Sequence, residues 1–169
     1  MNRIAQFEKV SFAVFADGWR DVFGNENGAG AAYERIPLPR RATEGSAGYD
    51  FALPFDLSLA PGQTAKIPTG IRARIDEGWV LMIYPRSGLG FKYRLQLNNT
   101  VGVIDSDYYY SSNEGHIFIK ITNDSNEEKT LSLTEGECFA QGVFTPFGIT
   151  VDDAADGVRD GGFGSTDVR

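Results

Sequence analysis

The stretch "GVIDSDYYYSSNEG" (102–115) places Asp105 and Asp107 on either side of a serine and follows them with Tyr108 and two more tyrosines. An exposed aspartate is ionised at pH 7 and can orient and polarise a water molecule. Aspartate, serine, asparagine and glycine are also ordinary turn residues, and a tyrosine run suits a half-buried strand. The stretch alone therefore leaves two alternatives open: a solvated turn and a hairpin that does chemistry.

Two glycine-rich stretches contain groups that bind phosphate. In "PRSGLG" (85–90), Arg86 supplies a guanidinium, Ser87 a hydroxyl, and the glycines leave backbone amides open at a predicted helix start. "GGFGST" (161–166) is a second candidate nest, with an aromatic face that could stack on a base. "GECFAQ" (136–141) adds Gln141 on an apolar strand, where an amide needs a partner. Each stretch is weak evidence when taken alone.

Short apolar or alternating runs must position these groups, and turn residues separate them at the spacing of an all-β barrel or sandwich. We predict strands at "VSFAVF", "FALPFDLSL", "TAKIP", "GIRARI", "WVLMIYP", "VGVI", "HIFIKIT", "KTLSL" and "CFAQGVF". We expect one or two short helices. One lies near residues 14–23, where aromatic residues recur at three- and four-residue steps, and the other covers "SGLGFKY" after Pro85.

Two segments have little to bury. "GNENGAGAA" (24–32) is predicted to be a mobile linker, and residues 152–169 are predicted to be a mobile C-terminal arm. The whole chain, 1–169, is interpreted as a single domain, because there is no internal repeat and the length suits one core.

Composition excludes several classes of protein. The net charge of -7 argues against a broad surface for nucleic acid, and no apolar run reaches the length of a membrane helix. The lone histidine, His116, excludes a multi-histidine metal site and favours a structural or surface role. The single Cys138 in an apolar run favours a buried structural thiol in a reducing compartment, and no signal peptide is recognisable, so a cytoplasmic location is expected.

Taken together and in order, five stretches resemble the motifs of the trimeric deoxyuridine triphosphatase (dUTPase) family. They are "AGYDF" (47–51), "PRSGLG" (85–90), "NNTVGVIDSDY" (98–108), "GECFAQ" (136–141) and "RDGGFGST" (159–166). The resemblance covers the chain from about Leu38 to Thr166. It implies a dUTPase-like β-clip, or distorted jelly-roll barrel, and the hydrolysis of dUTP to dUMP and pyrophosphate. Such an enzyme limits uracil incorporation into DNA and supplies dUMP for thymidylate synthesis.

The resemblance implies a role for each matching residue. Asp105 would hold the water that attacks the α-phosphorus, Tyr108 would pack against C2′ of deoxyribose and exclude a 2′-hydroxyl, and Gln141 would help to fix the water. Ser87 would be a catalytic residue together with Asp105 and Gln141. The remaining substrate-binding residues would read uracil, hold the phosphates, or close over the base and γ-phosphate: Arg86, Gly88, Asn99, Gly102, Val103, Ile104, Arg159, Phe163, Gly164, Ser165 and Thr166.

Two further residues take supporting or structural roles. The resemblance makes Asp50 a support for the site that does not touch substrate. Asp107 is expected to point to the face opposite Asp105, as alternate residues of an extended strand do, and to be structural or solvated. Mg²⁺ is the implied cofactor, held mainly by the substrate phosphates and water with no direct protein ligand.

Three features depart from the family pattern. Arg159 precedes Phe163 by four residues where the family has five, and Asp167 replaces the glycine expected after "GST". "YYSSNEG" (109–115) is an insertion that predicts a lengthened hairpin. The resemblance implies a homotrimer with shared sites, whereas the net charge and the lack of a long apolar run predict no nucleic-acid or membrane partner.

Two other functions are compatible with parts of this sequence. A dCTP deaminase of the same superfamily has stretches like "GRSSLAR" and "IDPGF", which match "PRSGLG" and "IDSDY" poorly. A nucleotide-sensing regulatory protein would use the fold without turnover, and the insertion or residues 16–33 could serve a regulatory protein partner.

Overall fold

The computed structural model describes residues 2–159, and strands dominate it. The all-β prediction is confirmed, although there are three short α-helices where one or two were expected. The strands are β1 Ala5–Lys9, β2 Arg40–Arg41, β3 Tyr49–Ala52, β4 Leu57–Leu59, β5 Thr64–Pro68, β6 Ile71–Ile75, β7 Trp79–Pro85, β8 Leu95–Leu97, β9 Gly102–Ile104, β10 Phe118–Asn123, β11 Leu131–Leu133 and β12 Cys138–Pro146. Within the described residues, no helix has the length and apolar character needed to cross a bilayer.

Four antiparallel sheets enclose one core. The largest has the order β2-β3-β12-β7-β9, so β9 is its last strand in the described part of the chain. The others are β5-β10-β8, β11-β4 and β1-β6. Alternate residues of the strands point inward, and Phe51, Ile67, Leu81, Ile83, Ile119, Ile121 and Phe139 are almost completely buried between the sheets.

The first helix, α1 (Phe12–Phe23), covers the end of the β5-β10 sheet. Its N-cap is Ser11, whose hydroxyl accepts a hydrogen bond from the Val14 N–H, and Gly24 ends it in the left-handed conformation. Phe15 and Trp19 are buried, which confirms the predicted helix. The strand predicted at "VSFAVF" is wrong, because the aromatic residues in it recur at the helical and not the strand period.

The linker predicted at 24–32 is also wrong in its second half. Residues Ala29–Arg35 form helix α2, and Ala29 and Ala32 are buried against the core. Small residues that suggest flexibility in the sequence here allow a close approach between α2 and α1. The third helix, α3 (Ser87–Tyr93), follows Pro85 as predicted.

The predicted long hairpin after β9 is replaced by a helical turn. Ser106–Tyr110 form a 3-10 helix, with the Tyr108 N–H bonded to the Asp105 carbonyl at 3.2 Å. Residues 111–117 then fold back before β10 begins. This turn brings both carboxylates of "DSD" to one side, which an extended strand would not do.

Candidate active site

A cavity of about 440 Å³ opens between β9 and β10. This volume is in the range of pockets that hold a small organic ligand. Its wall includes backbone and side chains of the third motif, together with one residue of the C-terminal segment: Asn98, Asn99, Gly102, Val103, Ile104, Tyr108 and Arg159. Because β9 is a terminal strand, its outer backbone groups are not used by a second neighbouring strand in the described residues.

Tyr108 is a fixed part of the cavity wall. The side chain is 6% exposed, and its hydroxyl donates to the His116 carbonyl at 2.8 Å and accepts from Asn113 Nδ2 at 2.8 Å. Burial raises the pKa of the phenol, while the Asn113 hydrogen bond and the nearby Arg159 oppose that rise. The phenol is therefore neutral, and its hydroxyl is held by two hydrogen bonds.

Asp105 and Asp107 share one cation. Arg159 Nη2 donates to Asp105 Oδ2 at 2.5 Å, and Arg159 Nε donates to Asp107 Oδ1 at 2.8 Å. The expectation that Asp107 points away from Asp105 is therefore wrong, because the 3-10 turn replaces the extended backbone on which it relied. Arg159 and Asp105 belong to the same chain, so the C-terminal segment reaches the β9 end of its own subunit as far as Arg159.

A second group of predicted residues lies where β7 meets α3. Arg86 is the N-cap residue of α3, with Ser87 and Gly88 in the first turn, where backbone N–H groups have no partner inside the helix. Its guanidinium lies 3.3 Å from Asp50 Oδ1, and its backbone N–H bonds to the Phe139 carbonyl. Asp50 thus holds Arg86, which is how a supporting carboxylate would act.

Gln141 belongs to this second group. It pairs with Asp50 across β12 and β3, and its Nε2 donates to the Pro85 carbonyl at 3.2 Å. Its carbonyl oxygen lies where Gly48 has no side chain: a Cβ at Gly48 would sit 2.5 Å from Gln141 Oε1. The glycine of the first motif is therefore a spacer for the glutamine of the fourth.

The two groups occupy opposite ends of β7. Leu81 pairs with Ile104 and Ile83 with Gly102, so Asp105 lies beside Val80. Arg86 follows the last residue of β7 and is six residues beyond Val80, which corresponds to about 20 Å of extended backbone. Among the described residues, Arg86, Ser87, Gly88 and Gln141 do not line the cavity. One chain therefore brings the residues of the third motif together at the cavity and keeps the Arg86 group apart from them.

His116 and Cys138 support the structure. His116 is 1% exposed, its Nε2 accepts from the Gly70 N–H at 2.9 Å, and burial lowers its pKa to about 4. Cys138 is half-buried at the start of β12, and burial raises the pKa of its thiol, which disfavours the reactive thiolate.

Four of the predicted site residues, Phe163, Gly164, Ser165 and Thr166, lie outside the described residues. The prediction of a mobile arm at 152–169 falls partly there too. Sequence reasoning missed Asn113, Asn98 and Lys120, of which the last two line the cavity. The sequence signal for Asn113 is its place in the insertion, to which the family resemblance assigns no chemical role.

Comparisons with known proteins agree on one family. The family model for dUTPase matches residues 34–167. The deoxyuridine 5′-triphosphate nucleotidohydrolase of Lactococcus lactis subsp. lactis is 46% identical over 134 residues, which cover 78% of this chain and 88% of that protein.

Solved structures give the same result for the fold. The dUTPase of Streptococcus mutans is 36% identical, with a TM-score of 0.63 over 87% of this chain and 98% of that one. The dUTPase of phage phi11 of S. aureus, described with a structural Mg(II) ion, has the same fold at 21% identity, with a TM-score of 0.63 over 92% of this chain and 98% of that one.

Proposed function

The chain belongs to the dUTPase family and hydrolyses dUTP to dUMP and pyrophosphate, and we propose that Asp105 holds the attacking water. The cavity receives uracil and deoxyribose. The triphosphate extends from there past Asp105 towards the phosphate-binding groups. The alternative of a dCTP deaminase is not favoured, because the matching relatives carry the nucleotidohydrolase name.

The base and sugar are recognised by groups that are already in place. The outer edge of β9 offers backbone N–H and C=O groups to the uracil edge, and Asn99 adds an amide on the same wall. Tyr108 closes the wall beside the sugar. Because its hydroxyl has two partners, the ring cannot retreat easily to admit an added 2′-oxygen.

The hydrolytic step begins with a water hydrogen-bonded to the Asp105 carboxylate. The water oxygen forms a bond to the α-phosphorus, its proton passes to Asp105, and the bond between that phosphorus and the α,β-bridging oxygen breaks. Pyrophosphate leaves with the electron pair of the broken bond. Ser87 and Gln141 assist, Arg86 and Gly88 hold the phosphates, and Arg159, Phe163, Gly164, Ser165 and Thr166 close over the substrate.

Arg159 must change partners during this step. Its guanidinium donates to the carboxylates of both Asp105 and Asp107. A γ-phosphate is a stronger competitor for the same donors, so substrate would draw Arg159 away and leave Asp105 free to bind water.

Mg²⁺ is the proposed cofactor, and the residues present fit it. Asp105 and Asp107 are hard oxygen acceptors that lie together and half-exposed at the β9 end, where they can accept hydrogen bonds from a hydrated cation. The substrate phosphates and water would hold the ion. When bound, it neutralises the triphosphate charge that would otherwise repel Asp105.

We also propose a homotrimer with shared sites in the cytoplasm. Groups that act on one phosphate must lie within hydrogen-bond distance of it. About 20 Å of β7 separates Asp105 from Arg86 within one chain, so a neighbouring chain must supply the Arg86 group. The trimeric dUTPases that the sequence resembles give the number of chains, and no nucleic-acid or membrane partner is proposed.

The observation that carries the proposal is the cavity itself, with Tyr108 fixed in its wall and Asp105 beside it. The test is pyrophosphate release from dUTP, dTTP, dCTP and UTP at equal concentrations, with and without Mg²⁺. We expect dUTP alone to be turned over efficiently. Comparable turnover of dCTP would overturn the uracil site, ammonia release from dCTP would indicate the deaminase, and tight binding of dUTP without turnover would indicate a sensor.

A further inference from the structure

The inserted segment 109–115 contacts the proposed sugar site through one side chain. Asn113 Nδ2 donates to the Tyr108 hydroxyl at 2.8 Å, and Asn113 Oδ1 accepts from the Gly115 N–H at 3.1 Å. The Tyr108 hydroxyl donates in turn to the His116 carbonyl at 2.8 Å. The insertion therefore closes a small network around the phenol.

The chemistry of the partners fixes the direction of each bond. The His116 carbonyl can only accept, so the Tyr108 hydroxyl must use its single hydrogen there and can take only a donor at its lone pairs. The Gly115 N–H can only donate, so it requires the amide oxygen. One orientation of the Asn113 amide satisfies both demands. A residue without both a donor and an acceptor could not bridge them.

The backbone around Asn113 is tightly packed and hydrogen-bonded, so it has little freedom to move. Gly115 has φ of +71°, and a Cβ there would lie 2.8 Å from the Tyr108 carbonyl oxygen and from Tyr109 Cα. The Ser111 N–H also bonds to the Tyr108 carbonyl, and the His116 N–H bonds to the Asn113 carbonyl. The inserted segment thus folds tightly onto Tyr108 and holds the amide beside the phenol.

We propose that Asn113 is a positioning residue for sugar selectivity, which fixes the Tyr108 ring so that ribonucleotides are rejected. With both partners the hydroxyl is held from two directions, and with His116 alone the ring can pivot about one bond. If the Tyr108 ring pivots, it makes room for the 2′-hydroxyl of a ribonucleotide. This inference rests on the proposed role of Tyr108 as the wall against C2′.

The test compares kcat and KM for dUTP and UTP in the full-length wild-type protein, Asn113→Ala and Asn113→Asp. We expect the ratio of kcat/KM for dUTP over UTP to fall about 3- to 10-fold in both variants, the size of one lost hydrogen bond. The change should come from a lower KM for UTP, with kcat for dUTP within about 2-fold of wild type. Asn113→Asp keeps an oxygen for the Gly115 N–H, so its melting temperature should stay closer to wild type than that of Asn113→Ala.

Two controls separate positioning from a general loosening of the segment. Ser112→Ala changes the exposed neighbour and should leave the selectivity ratio unchanged. In the Tyr108→Phe background, which lacks the hydroxyl, Asn113→Ala should have no further effect on selectivity. An equal further fall in that background would overturn the proposal, because Asn113 would then act without the phenol.

The outcomes also separate this inference from the proposed function. Wild-type turnover of UTP comparable with dUTP would overturn the sugar wall and the Asn113 role together. A selective wild type whose Asn113 variants are equally selective would overturn only the role of Asn113.

Discussion

The β9 end and the α3 end of β7 carry the two halves of the proposed chemistry, and they are built differently. At the β9 end, Tyr108 is buried, doubly hydrogen-bonded and part of a cavity of about 440 Å³. At the α3 end, Arg86 is 45% exposed in its side chain, and α3 buries none of its residues. One half is built from packed residues and the other presents its groups outward.

The difference shows which part of the proposed chemistry a single chain can perform by itself. Recognition of a base and a sugar requires a cavity of complementary shape. A single chain can form such a cavity from its own packed residues. Phosphate binding needs charge and backbone amides, whose interactions become stronger when a neighbouring group closes the site and excludes water. The exposed half is therefore the one expected to meet a neighbouring chain.

The largest effect should come from Asp105→Asn. The amide keeps the shape of the carboxylate but cannot take the proton of the attacking water, so kcat should fall by about 100- to 10,000-fold. Binding of a non-hydrolysable dUTP analogue should stay within about 10-fold of wild type. Single-turnover kinetics and calorimetry measure the two quantities. Retention of more than about a tenth of the wild-type rate would remove Asp105 from its role.

A second prediction concerns the pH dependence of the unfolding free energy, which is linked to His116 near the β9 end. The folded pKa of His116 is about 4, below its ordinary value of 6.5, so the neutral form stabilises the fold above pH 6.5. As the pH falls from 6.5 to 4, the unfolded state takes up the proton first, and about 3 kcal/mol of unfolding free energy should be lost.

Urea unfolding at pH 7, 5.5 and 4 checks this in wild type and His116→Gln. The glutamine oxygen can still accept from the Gly70 N–H but does not titrate, so its pH dependence should be shallower by about 1.4 kcal/mol per pH unit. Parallel pH profiles for the two proteins would contradict the prediction.

The third prediction tests whether the two halves that form one site belong to different chains. Asp105→Asn chains and Arg86→Gln chains are each expected to be nearly inactive. After co-refolding in equal amounts, three-quarters of random trimers are mixed, and each mixed trimer regains one working site of three. Activity should return to about a quarter of wild type, measured as pyrophosphate release. If one chain supplied both residues, mixed trimers confirmed by mass would stay inactive.

The smallest effect should come from Asp107→Asn. Asp107 is 55% exposed and supplies one of two carboxylates to Arg159, and such an exposed pair contributes about 0.2–1 kcal/mol. We expect kcat/KM for dUTP to fall no more than about 5-fold, with the difference diminishing at high salt. Asp124→Asn removes a comparable exposed pair with Arg94 and should change nothing. A loss as large as that of Asp105→Asn would make Asp107 a catalytic residue.

The sequence predicted the regular strands well because their periodicity is local. "WVLMIYP" coincides with β7, and α3 begins at Ser87 as expected. The errors occur where tertiary contacts override composition. The composition of residues 24–32 predicts a linker, yet burial of Ala29 and Ala32 makes Ala29–Arg35 a helix.

The candidate site shows the same limit. The resemblance identifies the motif residues, and the structure groups those within residues 2–159 at two places. The shared cation of Asp105 and Asp107 depends on a 3-10 turn and on Arg159, which is 54 residues away from Asp105. The bond from Asn113 to Tyr108 depends on how the insertion folds back. Neither contact has a periodic signal in the sequence.

The pairing of β1 with β6 bears on how much of this chain can be dispensed with. The family match begins at residue 34, yet Ala5–Lys9 pair along all of Ile71–Ile75 and are the only strand that does so in the described part of the chain. Cutting the protein back to the family match would uncover a row of unpaired backbone groups on β6 and the apolar surface under Phe15 and Trp19. Such an edge is a template for self-association. We therefore expect the first 33 residues to protect the enzyme from aggregation.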